Sequence, residues 1–465
     1  MPHCLMIAAP SSGCGKTTFT LGLLRALRDR GLSVQPFKSG PDYIDPLFHQ
    51  MAAGVESVNL DTYMSSPAHV QTLFGHYGGD ADACVIEAAM GLFDGADGPR
   101  GSAAEVAQIL DVPVVLLVSA KAVAYSVAPL IYGFRHFNPR LRLAGVVFNF
   151  VASERQLATL RRACEDAGVP CLGYLPRNPE LAIPSRHLGL TLQECEKTEQ
   201  LIALAAQEVT KHIDLDRLLE VTYRTDRAYE LNKTLSPLSR KGESLAVLDS
   251  CAQPLPSLTG SEGINGLTEC QAVLSDRSRT LLLRTGQVGG GSIAIAVARD
   301  AAFNFTYRAN IDALRRLGEV FFFSPLQDAD LPQCDLLYLP GGYPELFAEQ
   351  LAGNTAMREQ IRAYAEAGGR VLAECGGFMY LCRDIDGQPM CGLLPYSATM
   401  QGARLHLGYR ETVLNGVTLR GHEFHYSTTI PEAPTPFVHY KNIRAGYPHW
   451  YWGDDPQKLL SLLVS

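Results

Sequence analysis

Two short stretches carry side chains capable of covalent or phosphoryl chemistry. In LAECGGFMYL, residues 372–381, an apolar run ends on Cys375 and passes at once into two glycines. A cysteine at such a strand-to-helix turn meets the unpaired N–H groups of a helix start, which lower a thiol's pKa and can hold an oxyanion. That suits a nucleophile, although a small buried hydrophobe would leave the same trace. In APSSGCGKTT, residues 9–18, a glycine loop containing Gly13 and Gly15 runs into Lys16, Thr17 and Thr18 between an apolar run and the amphipathic FTLGLLRALRDRG. Strand, loop and helix in that order make a phosphate cradle, with backbone N–H groups holding the anion, Lys16 reaching the outer phosphates and Thr17 placed to ligate Mg2+. The full pattern asks for a glycine five positions before Gly15, where this chain has Pro10.

Three further stretches suit a reaction centre. FKSGPDYIDPLFH places Lys38, Asp42 and Asp45 after a second apolar run, where ligands gather at the carboxyl ends of parallel strands. Turn chemistry is the competing explanation for the aspartates. ACVIEAAMGLFDG ends an apolar strand on Glu87, a carboxylate that needs a partner such as a magnesium ion unless it caps the following helix. LPGGYPE pairs Gly341 with Gly342 after a strand, so their backbone N–H groups could line an oxyanion hole. A cysteine nucleophile also needs a base in space, and His406, His422, His425, His439 and His449 all follow Cys375.

The elements that must position these residues are α/β. From Cys4 to about Thr222, the runs CLMIAA, VQPFKS, ACVIEAA, VPVVLLVSA, LAGVVFNFV and CLGYLPR alternate with helix-like segments, the pattern of a doubly wound parallel sheet. Residues 1–222 therefore read as one domain. Residues 223–291 are polar and rich in Gly, Ser and Pro without periodicity, a connection expected to be partly disordered. Alternation resumes with SIAIAVARD, EVFFFSP, DLLYLPGG and RVLAEC, so 292–465 read as a second α/β domain holding Cys375. Within it, GYRETVLNGVTLRGHEFHYS alternates around Asn415-Gly416, a hairpin signal.

Composition narrows the class. The chain has 465 residues, 46% of them hydrophobic and 19% charged, enough for two to four globular domains. A formal charge of −8 argues against general affinity for nucleic acid or an anionic membrane. Twelve cysteines without a CxxC pair point to free thiols in a reducing compartment, the cytoplasm. CLMIAAP lacks a basic start, so secretion is not expected. Lys121 interrupts the apolar stretch 112–134, which reads as a buried strand followed by a helix.

Together, SGCGKTT, FKSGPDYIDP, NLDTYM, GLFDG, IPSRHLGL, IAVARDAAFNFTY, FSPLQD, LPGGYPE, AECGGFMYL and GHEFHYS make the chain resemble the cobyrinate a,c-diamide synthases of cobalamin biosynthesis, including the hydrogenobyrinate enzymes. The resemblance implies a dethiobiotin-synthetase-like ATP domain joined to a class I glutamine amidotransferase domain. It also implies ATP- and glutamine-dependent amidation of two peripheral carboxylates of a corrinoid through an acyl phosphate. Residue by residue, it makes Cys375 the glutaminase nucleophile, with Gly341 and Gly342 in its oxyanion strand. Lys16 and Thr17 then serve ATP, Asp45 and Glu87 serve magnesium, and Asp42 and Asp94 lie near the carboxylate being activated. NIRAGYPHW matches the segment bearing the catalytic histidine, which falls on His449.

Departures from the family pattern are Gly446 for a usual Ser, Pro448 before the histidine, and Ser119 where many relatives carry Asp. Tyr451 stands where amidotransferases usually have Glu, so a Cys–His dyad is expected. The nearest alternative is a sirohydrochlorin a,c-diamide synthase of nickel tetrapyrrole biosynthesis, which shares these motifs. An alternative of another class is a partitioning-type switch ATPase with a non-catalytic second domain, but that type carries a lysine where Ser11 stands. The macrocycle's metal and the oligomeric state, a homodimer among the options, stay open.

Overall fold

In the computed structural model, which describes residues 3–183, 192–223 and 293–463, strand β1 (His3–Ala8) lies at the centre of the first domain. It is flanked in a seven-stranded sheet by β2 (Val34–Ser39), β3 (Val58–Leu60), β4 (Ala83–Glu87), β5 (Val114–Ser119), β6 (Leu143–Val151) and β7 (Cys171–Pro176), in the order β3-β2-β4-β1-β5-β6-β7. Every pairing is parallel. Helices cover both faces, which is why the strand sequences are continuous apolar runs rather than alternating ones. The strand order reverses beside β1, and the crevice at such a switch point is where α/β sheets bind ligands. Helix α1 (Lys16–Asp29) starts there and is buried from Lys16 to Leu27 between the sheet and the helix Leu192–His212. Gly22 permits that approach, since a Cβ at this position would lie 2.7 Å from the Ala205 carbonyl oxygen.

The stretch 112–134 forms β5 and the helix Val127–His136, and no described helix is long and apolar enough to cross a membrane. Residues 224–291 of the expected connection lie outside the described residues, as does the IPSRHLGL motif beyond Ile183.

The second domain is built on β8 (Ile293–Ala298), β9 (Gly318–Phe323), β10 (Leu336–Leu339) and β11 (Arg370–Glu374), with the strands Ile443–Gly446 and Val438–Tyr440 completing a six-stranded sheet. Only the last of these runs antiparallel. The expected hairpin pairs His406–Leu414 with Val417–His425, and its turn residues Asn415 and Gly416 both have positive φ, as a two-residue primed turn requires. A third strand, His449–Tyr451, joins the hairpin in a separate sheet with His422 directly opposite His449.

The two domains share an apolar cluster. Tyr43, Leu60, Met64 and Leu73 of the first pack with Phe305, Tyr307, Tyr343 and Tyr451 of the second. Polar links border it: the Tyr409 hydroxyl donates to Asp61 over 2.8 Å, His69 Nε2 meets the Tyr451 hydroxyl at 2.8 Å, and Arg308 pairs with Glu56.

Candidate active site

The loop between β1 and α1 turns through two left-handed glycines, Gly13 and Gly15. Gly15 is also the residue before α1, and a side chain there would overlap the amide of Asn149, which donates to the Cys14 carbonyl over 2.9 Å. Lys16 Nζ folds back across the loop onto the carbonyl oxygens of Met90 (2.5 Å) and Ser11 (3.3 Å). The segment carrying Asp94 packs against this loop through Leu92 N–H to Ala9 O, and Asp94 itself accepts from Gly91 N–H. Thr18 points elsewhere, donating to the Leu181 carbonyl.

Beneath the loop lies a buried cluster of charge. Thr17 Oγ1 donates to Glu87 at 2.8 Å and stands 3.4 Å from Asp45. Lys38 Nζ pairs with Asp45, with Glu87 at 3.1 Å and with Asp42 at 3.5 Å, while His49 Nε2 contacts the other Glu87 oxygen at 2.7 Å. Burial alone would raise the Glu87 carboxyl, but the Lys38 ammonium and the His49 and Thr17 hydrogen bonds hold it well below the usual range. Asp45 goes the other way, pushed up to about 8 by burial and by the Asp42 charge. Asp42 caps the start of helix α2 (Ile44–Ala53), accepting from Ile44 N–H and Asp45 N–H.

The hydroxyl and two carboxylates converge as hard oxygen donors and fit a magnesium ion that keeps several waters. Among the described residues, however, no group of three or more His, Cys, Asp or Glu side chains surrounds a common metal position. The Ser119 hydroxyl accepts from Lys121 N–H.

In the second domain Cys375 follows β11 with φ 45° and precedes the helix Gly376–Leu381, the sharp turn read from the sequence. The expected lowering of the thiol pKa is not seen. The thiol is 3% exposed, and burial, reinforced by the Glu345 charge, pushes it up, outweighing the help of the Gly376 N–H in a helix of only six residues.

Gly341 lies against His449, and Gly342 lies against Gly376, the residue after Cys375. A Cβ at 341 would overlap the His449 ring, and one at Gly376 would lie 3.0 Å from Gly342 N. His449 is fully buried and neither ring nitrogen has a hydrogen-bond partner among the described residues, so no hydrogen bond joins it to Cys375, whose Sγ faces the Phe424 carbonyl at 3.9 Å. Burial and the neighbouring His422 hold His449 well below the usual histidine range. Its ring stacks on His422 at 5.1 Å and packs against Tyr43 at 5.1 Å. The Tyr307 hydroxyl fixes His422 through Nδ1 at 2.9 Å. Of the other histidines, His425 stacks on Tyr447 and bonds the Ser427 carbonyl, His406 stacks on His425, and His439 lies on the edge strand Val438–Tyr440.

Residues 5–190 match the CobQ/CobB/MinD/ParA nucleotide binding domain, and residues 294–451 match the CobB/CobQ-like glutamine amidotransferase domain. The chain is 40% identical to cobyrinate a,c-diamide synthase of Salmonella typhimurium, over 93% of this chain and 87% of that protein. It is 38% identical to the Listeria monocytogenes serotype 4b protein of the same name, over 93% and 88%. To hydrogenobyrinate a,c-diamide synthase of Streptomyces coelicolor it is 38% identical, over 97% and 95%. The chain belongs to the family of cobyrinate and hydrogenobyrinate a,c-diamide synthases.

Membership in the a,c-diamide synthase family makes the chain an enzyme with a nucleotide-binding domain and a glutamine amidotransferase domain. Several side chains at its two sites were not singled out from sequence. Asn149 clamps the phosphate loop, and its signal was the one that exposed Glu87, a polar residue at the end of an apolar strand. His49 sits one turn along α2 from Asp45, on the same face, and that spacing could have paired them. Tyr43 carried no such signal, because an aromatic residue inside a turn motif does not reveal what it packs on.

Proposed function

We propose that this chain uses ATP and glutamine to convert the a- and c-side-chain carboxylates of cobyrinate or hydrogenobyrinate to amides. The observation that supports it most is the junction at the start of α2. Asp42 enters the charged cluster beside Lys38, and the next residue, Tyr43, packs on His422 and His449. One turn of backbone thus borders both candidate reaction centres.

In this reading the loop N–H groups around Gly13 and Gly15 hold the phosphates of ATP, with Lys16, Thr17 and Thr18 at the start of α1. A carboxylate is a poor electrophile, so one of its oxygens takes the γ-phosphoryl group of ATP as ADP departs, and ammonia then attacks the acyl phosphate with loss of phosphate to give the amide. Magnesium, held by Thr17, Asp45 and Glu87, would neutralise phosphate charge during transfer. Asp42 and Asp94 lie beside the carboxylate being activated.

In the second domain the Cys375 proton passes to His449 and the thiolate attacks the glutamine amide carbon. The N–H groups of Gly341 and Gly342 receive the oxyanion. His449 returns the proton to the departing ammonia, and water then cleaves the thioester to glutamate. Free ammonia in neutral water is mostly ammonium and cannot attack, which is the advantage of releasing it next to the acyl phosphate. The free thiols of the described cysteines suit action in the cytoplasm.

The deciding experiment incubates the protein with magnesium, ATP, glutamine and a panel of tetrapyrrole acids, followed by mass spectrometry. Two amides on a cobyrinate or hydrogenobyrinate ring are expected. Amidation of sirohydrochlorin alone would transfer the assignment to the nickel tetrapyrrole reaction, and no amidation of any acid would refute the synthase reading.

A further inference from the structure

The residue before the nucleophile is a carboxylate on the opposite face of its strand. Glu374 shares that face with Leu372, two residues back, among Tyr338, Trp450 and Trp452, and is only 2% exposed. An ionisable group in such a place costs free energy unless hydrogen-bonded. Both of its oxygens are satisfied. The Tyr338 hydroxyl, on β10, donates to Oε2 over 2.7 Å, and the Trp450 backbone N–H donates to Oε1 over 2.8 Å.

The second bond joins elements that the sheets do not join. β10 and β11 belong to the six-stranded sheet, whereas Trp450 lies on the strand His449–Tyr451 of the separate hairpin sheet. Among the described residues, that strand pairs with the hairpin on one side only. The Trp450 carbonyl accepts from Asn310, so Glu374 and Asn310 between them hold the peptide groups on both sides of Trp450. Cys375 is one residue beyond Glu374, and His449 one residue before Trp450.

We propose that Glu374 is a positioning residue for glutamine hydrolysis, spacing the Cys375 turn from the His449 strand through its bond to the Trp450 N–H. It touches neither glutamine nor the reacting atoms. Among the described residues no hydrogen bond to a ring nitrogen orients His449, so its place depends on its strand and on the rings packed against it, His422 and Tyr43. The proposal rests on the glutaminase roles assigned to Cys375 and His449.

The test measures amide formation from glutamine and from ammonium chloride, with kcat and KM separated, in Glu374→Ala, Glu374→Gln and Tyr338→Phe. Glu374→Ala should lower kcat with glutamine about 100-fold, the scale for a misplacement near 1 Å. Its KM for glutamine should change less than about threefold, and use of ammonium should stay within about twofold, thresholds small against that loss. Glu374→Gln should restore most of kcat, since its amide oxygen still accepts from Trp450 N–H and its NH2 can donate to the Tyr338 oxygen.

Retention of kcat by Glu374→Ala, or a loss in Glu374→Gln as deep as in Glu374→Ala, would overturn the proposal. Should Glu374→Ala lose ammonium use and fail to fold, Tyr338→Phe decides. A fall in glutamine kcat alone supports positioning, and unchanged kcat refutes it. Failure of the unsubstituted protein to use glutamine at all would instead refute the amidotransferase reading.

Discussion

The phenol ring of Tyr43 lies 5.1 Å from the imidazole of His449, although the two residues belong to different domains. Tyr43 also stacks on Phe305, nearly parallel at 5.1 Å, and contacts Tyr307 and His422. A residue of the nucleotide domain is therefore part of the wall around His449, the candidate base of the second domain. Removing it should affect how the two half-reactions keep step.

Tyr43→Ala should lose about 3–5 kcal/mol of stability, as truncations of buried aromatics do. It should also waste glutamine, releasing more glutamate per ADP formed. The check is the ratio of glutamate to ADP, alongside thermal unfolding. An unchanged ratio in a folded variant would confine Tyr43 to packing.

Lys16→Ala should abolish amide synthesis from glutamine and from ammonium alike, because Lys16 supplies positive charge to the phosphates during transfer. Glutamine hydrolysis should survive, since Cys375 and His449 lie in the other domain. Synthetic activity equal to the unsubstituted protein would remove the phosphate-loop assignment.

Glu87→Gln and Asp45→Asn should each weaken magnesium use, and their losses should be strongly non-additive, because Thr17 and Lys38 bond to both carboxylates. Glu87→Gln should also destabilise the fold by about 3–5 kcal/mol, the scale for leaving one partner of a buried ion pair uncompensated. Magnesium titration and thermal unfolding of the single and double variants make the comparison. Additive losses at unchanged magnesium dependence would assign both residues to folding.

Cys375→Ser should lose synthesis from glutamine and keep synthesis from ammonium. His449→Ala should do the same, and His425→Ala should not, because His425 is occupied by the Ser427 carbonyl and Tyr447. His422→Ala is not a neutral control, for it removes the ring stacked on His449 and leaves the Tyr307 hydroxyl without that partner. Use of glutamine by Cys375→Ser at the unsubstituted rate would refute the mechanism.

Burial pushes the Glu374 carboxyl up to about 8. The folded protein then keeps this proton up to about pH 8, while the unfolded chain releases it near the ordinary glutamate value. Stability from this group is full below that ordinary value and declines as pH rises toward 8. Glutamine does not titrate, so the melting temperature of Glu374→Gln relative to the unsubstituted protein should rise between pH 5 and 8. A difference that stays flat across that range would contradict the shift.

Much of the fold was legible because buried parallel strands have a plain signature. Runs such as ACVIE and VVLLVS are apolar on both faces, and the motif residues sit where those runs stop. Partnership was harder to read. The sequence asks for a partner to Glu87 such as a magnesium ion, and the fold brings it the Lys38 ammonium and a His49 ring nitrogen, from β2 and α2, by tertiary packing alone. The Cys375 turn was visible in the spacing of its glycines, but the direction of its thiol pKa depended on burial, which local sequence does not reveal. Likewise, His422 and His449 stand 27 positions apart, and only the pairing of their strands brings them face to face.

The apolar cluster shared by the two domains bears on what holds the molecule in one piece. Tyr43, Met64, Tyr307 and Tyr451 interlock, and Asp61, His69 and Glu56 tie the margin to Tyr409, Tyr451 and Arg308. Peptide continuity through residues 224–292 is then not what keeps the halves in register. A chain nicked there should still travel as a single particle, and separating its fragments should require denaturant.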